Sequence, residues 1–236
     1  MDFNAGQLIL INKPLGVTSF SVVKKVRWVT KAGKVGHAGT LDPLASGLLV
    51  ICTGKFTKKI DQYQGLEKEY RGSMILGATT PSHDLETEIN ERFDISGITE
   101  QMIKEATAAF IGDVQQTPPN YSAVKVNGKR SYDMARGGED FVLQPKTVSI
   151  TAFEITAIDL PRIDFRVVCS KGTYIRSLVY DFGRALKSGA YMSALVRTRI
   201  GDLRLEDAWE MNEFVLFVKN LKSEISHEGL PGTGTI

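Results

Sequence analysis

The most constraining stretch of the chain is Gly36-His37-Ala38-Gly39-Thr40-Leu41-Asp42-Pro43-Leu44-Ala45-Ser46-Gly47-Leu48. It sets one aspartate among glycines just ahead of an apolar run. Proline at 43 pushes Asp42 out of the α region toward extended backbone. The glycines permit tight turns and the close approach of a large flat ligand. Leu48-Leu49-Val50-Ile51-Cys52 follows and reads as a buried strand. An acid on a glycine-rich loop at the mouth of a buried strand is well placed for chemistry. The same residues also describe a turn or cap aspartate.

The 236 residues suffice for one large domain or two small ones, and 42% hydrophobic with 24% charged residues excludes a disordered chain. The 29 Lys and Arg nearly balance 27 Asp and Glu, so local distribution says more than net charge. Lys24, Lys25, Arg27, Lys31 and Lys34 form a run without an acid among them. Lys125, Lys129, Arg130 and Arg136 form a second, and Arg197, Arg199 and Arg204 a third. Singly these are solvated faces; together they fit contact with phosphates at several places. Cys52 and Cys169 each lie in an apolar stretch, as small core residues of a reduced, intracellular protein do. With no signal-like N-terminus and no apolar run near ~20 residues, the expectation is a soluble, cytoplasmic protein without membrane contact.

Residues 8–11 read as a strand. Thr18 or Ser19 then caps a helix whose Val22, Val23, Val26 and Val29 form a helical stripe, with Lys24, Arg27 and Lys31 opposite. A short helix is expected over 56–63, a strand over 68–76 and a loop over 79–88. A helix follows from Thr99 to about 111, ended by Gly112. Residues 113–145 are irregular and basic, with a hairpin signal at Asn127-Gly128; they suit either an arm over a ligand or a surface insertion. Residues 148–158 and 163–169 read as paired strands around Pro161. Thr173 caps a helix carrying Ile175, Leu178, Val179, Phe182 and Leu186. Strands and helices interleave without a regular βαβ beat, which indicates an α+β fold.

Several chemistries lack support. Residues 33–40 resemble a phosphate loop without its Gly-Lys-Ser/Thr, two cysteines and three scattered histidines give no metal spacing, and no Gly-x-Ser-x-Gly occurs. In Ser170-Lys171-Gly172-Thr173-Tyr174-Ile175-Arg176, Arg176 falls in a first helical turn, where a cation opposes the helix dipole and an anionic partner is welcome. An exposed, screened arginine is the other reading. Burial under a flat ligand would raise the pKa of Asp42, and an adjacent arginine would hold it down and fix its orientation. Tyr70 and Tyr174 offer either stacking surfaces for a base or core packing.

Those stretches, with Lys13-Pro14-Leu15-Gly16-Val17-Thr18-Ser19, Lys68-Glu69-Tyr70-Arg71 and residues 118–130, resemble the bacterial TruB pseudouridine synthases, in family order from about residue 7 to 205. The resemblance implies a mixed, mainly antiparallel sheet flanked by helices, with 1–236 as one catalytic domain and 113–145 as an inserted RNA-gripping arm. Residues 206–236 would be a short extension in place of the C-terminal RNA-binding PUA module of many relatives, ending in a frayed tail. It further implies an isomerase that converts the T-loop uridine of tRNA, position 55, to pseudouridine without cofactor or metal. Asp42 matches the nucleophile, Tyr70 the tyrosine stacked on the target base and Arg176 the arginine paired with the nucleophile. His37 matches a T-loop contact, and Tyr174 and Leu195 match pocket-lining positions. The implied partner is the tRNA T-stem-loop, bound by a monomer with no obligatory protein partner. Val196 stands where an arginine often precedes Arg197, which would weaken one RNA contact. Two other readings stand beside it: a tRNA-binding folding chaperone with dispensable catalysis, which the same surface would serve, and a guide-RNA-dependent synthase, which the short C-terminus disfavours.

Overall fold

The structure, a computed structural model, describes residues 1–228; the tail expected at 231–236 lies outside them. The chain forms two compact units, Met1–Gly65 with the segment from Arg199 onward, and Leu66–Thr198. Both are α+β.

The first unit opens with β1 (Leu8–Lys13), α1 (Ser19–Thr30), β2 (Val35–Ala38) and β3 (Ala45–Thr53). The chain then passes through a 3₁₀ turn (Gly54–Lys59) into α2 (Ile60–Gly65); the two together overlap the helix expected over 56–63 and α2 ends two residues beyond it. Thr18 is the N-cap of α1, its hydroxyl accepting from the Ser21 N–H, and all four stripe valines are buried. β3 pairs antiparallel with β1 from Leu8 opposite Cys52 to Lys13 opposite Gly47, and β2 pairs with its other edge.

In the second unit β4 (Lys68–Leu76) matches the sequence expectation. It is followed by the small pair β5 (Ala78–Thr79) and β6 (Glu91–Arg92) and by α3 (Glu100–Ala106), capped by Thr99. β7 (Gly112–Gln116) corrects the expectation for 112–116. A 3₁₀ turn ends at an extended Ile111, and Gly112, at φ +93°, opens a regular strand on β10 (Lys146–Asp159) instead of capping a helix. The rest of the irregular segment holds β8 (Lys125–Val126), β9 (Lys129–Arg130) and α4 (Ser131–Arg136). Its Asn127-Gly128 turn has φ of 50° and 84°, the paired positive values that make this dipeptide a hairpin signal. β10 and β11 (Arg162–Cys169) pair around Pro161, and the strand order through the unit is β12 (Ala190–Ile200)-β4-β11-β10-β7. α5 (Ile175–Ala185) buries Ile175, Leu178, Val179 and Phe182 as expected, Phe182 meeting Phe153 edge-on at 5.4 Å. Its N-cap is Tyr174, not Thr173, because the Thr173 hydroxyl donates back to the Ser170 carbonyl.

The chain returns to the first unit through β13 (Leu203–Arg204), β14 (Trp209–Glu210), which pairs parallel with β1, and α6 (Met211–Glu228). The period of two along β1 and β3 divides the unit's core. Ile9, Ile11, Leu49 and Ile51 pack with the valines of α1 and with Phe214 and Val218 of α6; Leu48, Val50 and Cys52 pack on the other face with Ile200. Burial pushes both Cys52 and Cys169 up to about 11, so neither is a thiolate near neutrality and both are core residues. Arg197, read from sequence as part of a surface cluster, is 1% exposed and inside the fold. Among the described residues no helix is long and apolar enough to cross a membrane.

The N-terminus of α1 is stitched to the Asp42 loop by one buried hydroxyl. Ser19 Oγ donates to the Leu41 carbonyl (3.0 Å) and accepts the Leu41 N–H (2.9 Å). Ser19→Ala leaves both backbone groups unpaired and should lower the unfolding free energy by about 1–3 kcal/mol in urea titration. Ser21→Ala, at an exposed position, should cost less than about 0.5 kcal/mol.

Candidate active site

In the first unit the sequence fixes Asp42 from both sides. Leu41 and Ala45 are buried at 3% and 1% exposure, so the intervening residues must turn outward, and Asp42 is half-buried between them. Gly39 enters the turn at φ +87°, which side-chain-bearing residues rarely adopt. The Ala45 N–H donates to the Asp42 carbonyl at 3.1 Å, and the Gly16 N–H to that of Pro43 at 2.8 Å. Lys13, at the end of β1 and without exposed surface, donates from Nζ to the carbonyls of Pro14 (2.9 Å), Val17 (2.7 Å) and Pro43 (3.5 Å). A buried ammonium needs such partners, and here they lock the β1–α1 turn to the residue after Asp42. His37, half-buried on β2 opposite Ile51, leads into the same loop.

In the second unit Arg176 is 4% exposed, which removes the exposed-arginine reading. It is the second residue of α5, where the helix dipole disfavours a cation. Its Nη1 donates to the Ser82 carbonyl at 3.1 Å and its Nη2 to that of Tyr121 at 2.9 Å, while Nε lies 3.5 Å from Asp84 Oδ2. Both side chains of this ion pair are almost wholly buried. The Asp84 turn is itself held: Thr80 and Ser82 hydroxyls donate to its carbonyl, and the Glu86 N–H to Oδ1 at 2.9 Å. Arg176 therefore joins α5 to the 80–84 turn and to residue 121 by a planar, permanently charged fork. The peptide of Tyr174 is fixed just before it, its N–H donating to Gln116 Oε1 (2.7 Å) and its carbonyl accepting from Nε2 (3.0 Å). Tyr70 on β4, opposite Val167, and Leu195 on the neighbouring β12 are each 8% exposed. Asp42 and His37 thus share the first unit, and Tyr70, Tyr174, Arg176 and Leu195 the second.

With that geometry in view, a family model described as TruB family pseudouridylate synthase (N terminal domain) matches residues 27–175. The chain belongs to the TruB family. The tRNA pseudouridine synthase B of Flavobacterium johnsoniae is 52% identical over 220 residues, covering 90% of this chain and 96% of that one. That of Bacteroides fragilis is 47% identical over 232 residues, covering 96% and 100%. Among solved structures, one of an H/ACA RNP bound to a substrate RNA containing 2′-deoxyuridine aligns with a TM-score of 0.72 at 27% identity. It covers 98% of this chain, which spans 58% of the other.

Sequence reasoning missed Lys13, Asp84 and His83 in this TruB-family chain. Lys13 was legible as part of the Lys13-Pro14-Leu15-Gly16 turn, but a lysine ordinarily signals surface. Asp84 sits in a stretch read as a polar loop, and nothing local marks it as the partner of Arg176. His83 precedes it at φ +62° with its ring stacked on Tyr180 at 4.0 Å and 6°. Two cations of the basic arm are paired, Lys129 with Glu139 inside the arm and Arg136 with Glu86 of the 79–88 loop, and both Arg130 and Arg136 lie over the Tyr132 ring.

Burial, helped by the neighbouring Arg176 charge, pushes His83 down to about 4 from 6.5. The unfolded chain then binds a proton between those values that the folded chain does not, so stability falls as pH drops from about 6.5 to 4. The loss attributable to this group is at most about 3 kcal/mol. His83→Asn, which tolerates the left-handed backbone, should remove that component when urea stability is measured at pH 4 and pH 7 in both proteins. An identical pH dependence in the variant would contradict it.

Proposed function

We propose that this chain isomerises the T-loop uridine of tRNA, position 55, to pseudouridine, with Asp42 as nucleophile and without a cofactor. The observation that supports this most is the 52% identity across nearly the full length of a tRNA pseudouridine synthase B. The reaction exchanges bonds without net gain or loss. The C1′–N1 bond breaks, uracil turns, C5 bonds to C1′, and the C5 proton leaves while N1 gains one. An ionised carboxylate held on a rigid loop can serve as the covalent partner that carries one fragment through that turn. The anchoring by Lys13, Gly16 and Ser19 supports this role for Asp42, since a nucleophile must be held within reach of its target.

In this reading Arg176 takes the role of the arginine that partners the nucleophile, Tyr70 stacks on the target base, and His37, Tyr174 and Leu195 bind the extruded nucleotide. A base inside a stacked loop has to leave its stack to be worked on. The reading takes residues 1–236 as one catalytic domain, with residues 113–145 as the arm that grips the RNA. Lys125 and Arg130 on exposed positions and Tyr132 beneath two guanidinium groups support that role. The enzyme works as a monomer in the cytoplasm and needs neither guide RNA nor protein partner.

Purified protein incubated with an unmodified tRNA transcript should produce pseudouridine at one position in the T loop, read by nucleotide-resolution mapping. A transcript with cytidine there should stay unmodified. Folded protein that leaves the uridine unchanged would contradict the assignment.

A further inference from the structure

The sequence run Lys24–Lys34 is not absorbed by the site described above, and the structure shows what it carries. The face of α1 opposite the valine stripe presents Phe20 and Trp28 at 61% and 59% exposure. Lys24 Nζ lies 4.9 Å from the centre of the Phe20 ring, and Lys25 and Lys31 lie 5.1 and 5.5 Å from that of Trp28. Phe20, Lys24, Arg27, Trp28 and Lys31 recur at helical spacing along one stripe. The chain has no acid between residues 3 and 41. Among the described residues these cations form no ion pair.

We infer that this face is a second RNA contact, on which unpaired bases stack against Phe20 and Trp28 while Lys24, Arg27 and Lys31 meet phosphates. It rests on the tRNA substrate proposed above. A merely solvated face needs charges but not two large rings left in water. Aromatic platforms with interleaved cations are what single-stranded nucleic acid recognises without regard to sequence. A membrane-binding helix instead keeps its apolar face for the lipid. Here that face, with Val22, Val23, Val26 and Val29, is buried in the core, and rings and cations are mixed on one stripe. The position also fits. α1 begins at Ser19, hydrogen-bonded to Leu41 beside the nucleophile, and its 12 residues extend the stripe about 18 Å from there. RNA held at Asp42 can therefore continue along it.

The chain has two tryptophans, so Trp209→Phe leaves Trp28 as the reporter. In that background an unmodified tRNA transcript should quench Trp28 emission saturably, by at least about a third, as base stacking does. Lys24→Glu/Arg27→Glu/Lys31→Glu should raise the Kd for tRNA at least about tenfold at 0.1 M salt and reduce the log–log salt slope by about 2–3. Trp28 emission that does not move while the same sample forms pseudouridine would overturn this inference and leave the proposed function standing. So would a Kd within about twofold of wild type. Absence of any tRNA binding would overturn both. A Trp28 blue shift on phosphatidylserine vesicles without a response to tRNA would assign the face to a membrane and overturn the RNA reading.

Discussion

Lys13 carries its charge to a place without solvent exposure, and what it requires there organises the first unit. An ammonium removed from water must recover its hydrogen bonds from the protein. It does so from carbonyls of the turn before α1 and from Pro43. That demand fixes the exit of β1, the entry of α1 and the backbone after Asp42 relative to one another. Ser19 adds a second tie between α1 and Leu41. The half-buried carboxylate of Asp42 is consequently presented from a loop whose backbone has few alternatives, even though the loop has no regular secondary structure of its own. Pre-organisation of this kind is what a nucleophile needs.

The second unit uses a fixed cation differently. Arg176 sits where the helix dipole opposes it and is buried, so its position is sustained by Asp84 and by two carbonyls from separate loops. Such a pair adds little net stability, because desolvating both charges offsets their attraction. Its use lies in geometry: the guanidinium plane fixes the first turn of α5, and the Gln116 amide fixes the Tyr174 peptide next to it. His83, neutral and stacked on Tyr180, fills the space beside that charge without adding a second one.

Much of this was legible in the sequence where physical rules act locally. The valine stripe and Thr18 cap define α1, Asn127-Gly128 defines its hairpin, and the glycines and Pro43 mark the Asp42 loop. Rules that depend on distant partners were not legible. β7 was missed because its alternating exposed residues look like loop until β10 pairs with them. Thr173 looked like a cap, but its hydroxyl found Ser170 and the glutamine at 116 took the role at Tyr174. Arg197 resembles a surface cation in one dimension and is interior in three. Asp84 has no signature at all until α5 brings Arg176 to it. The resemblance supplied what spacing could not, the assignment of Asp42, Tyr70 and Arg176 to one reaction.

In the function proposed, the Asp42 carboxylate performs the chemistry and its loop holds it in place. Loss of the C5 proton reports the new carbon–carbon bond directly, through tritium released to water from tRNA carrying [5-³H]uridine. Wild-type protein should release the label from the T-loop uridine. Asp42→Asn, isosteric but without the charge, should bind the same tRNA with unchanged affinity and release none. Release at the wild-type rate by Asp42→Asn would contradict the account.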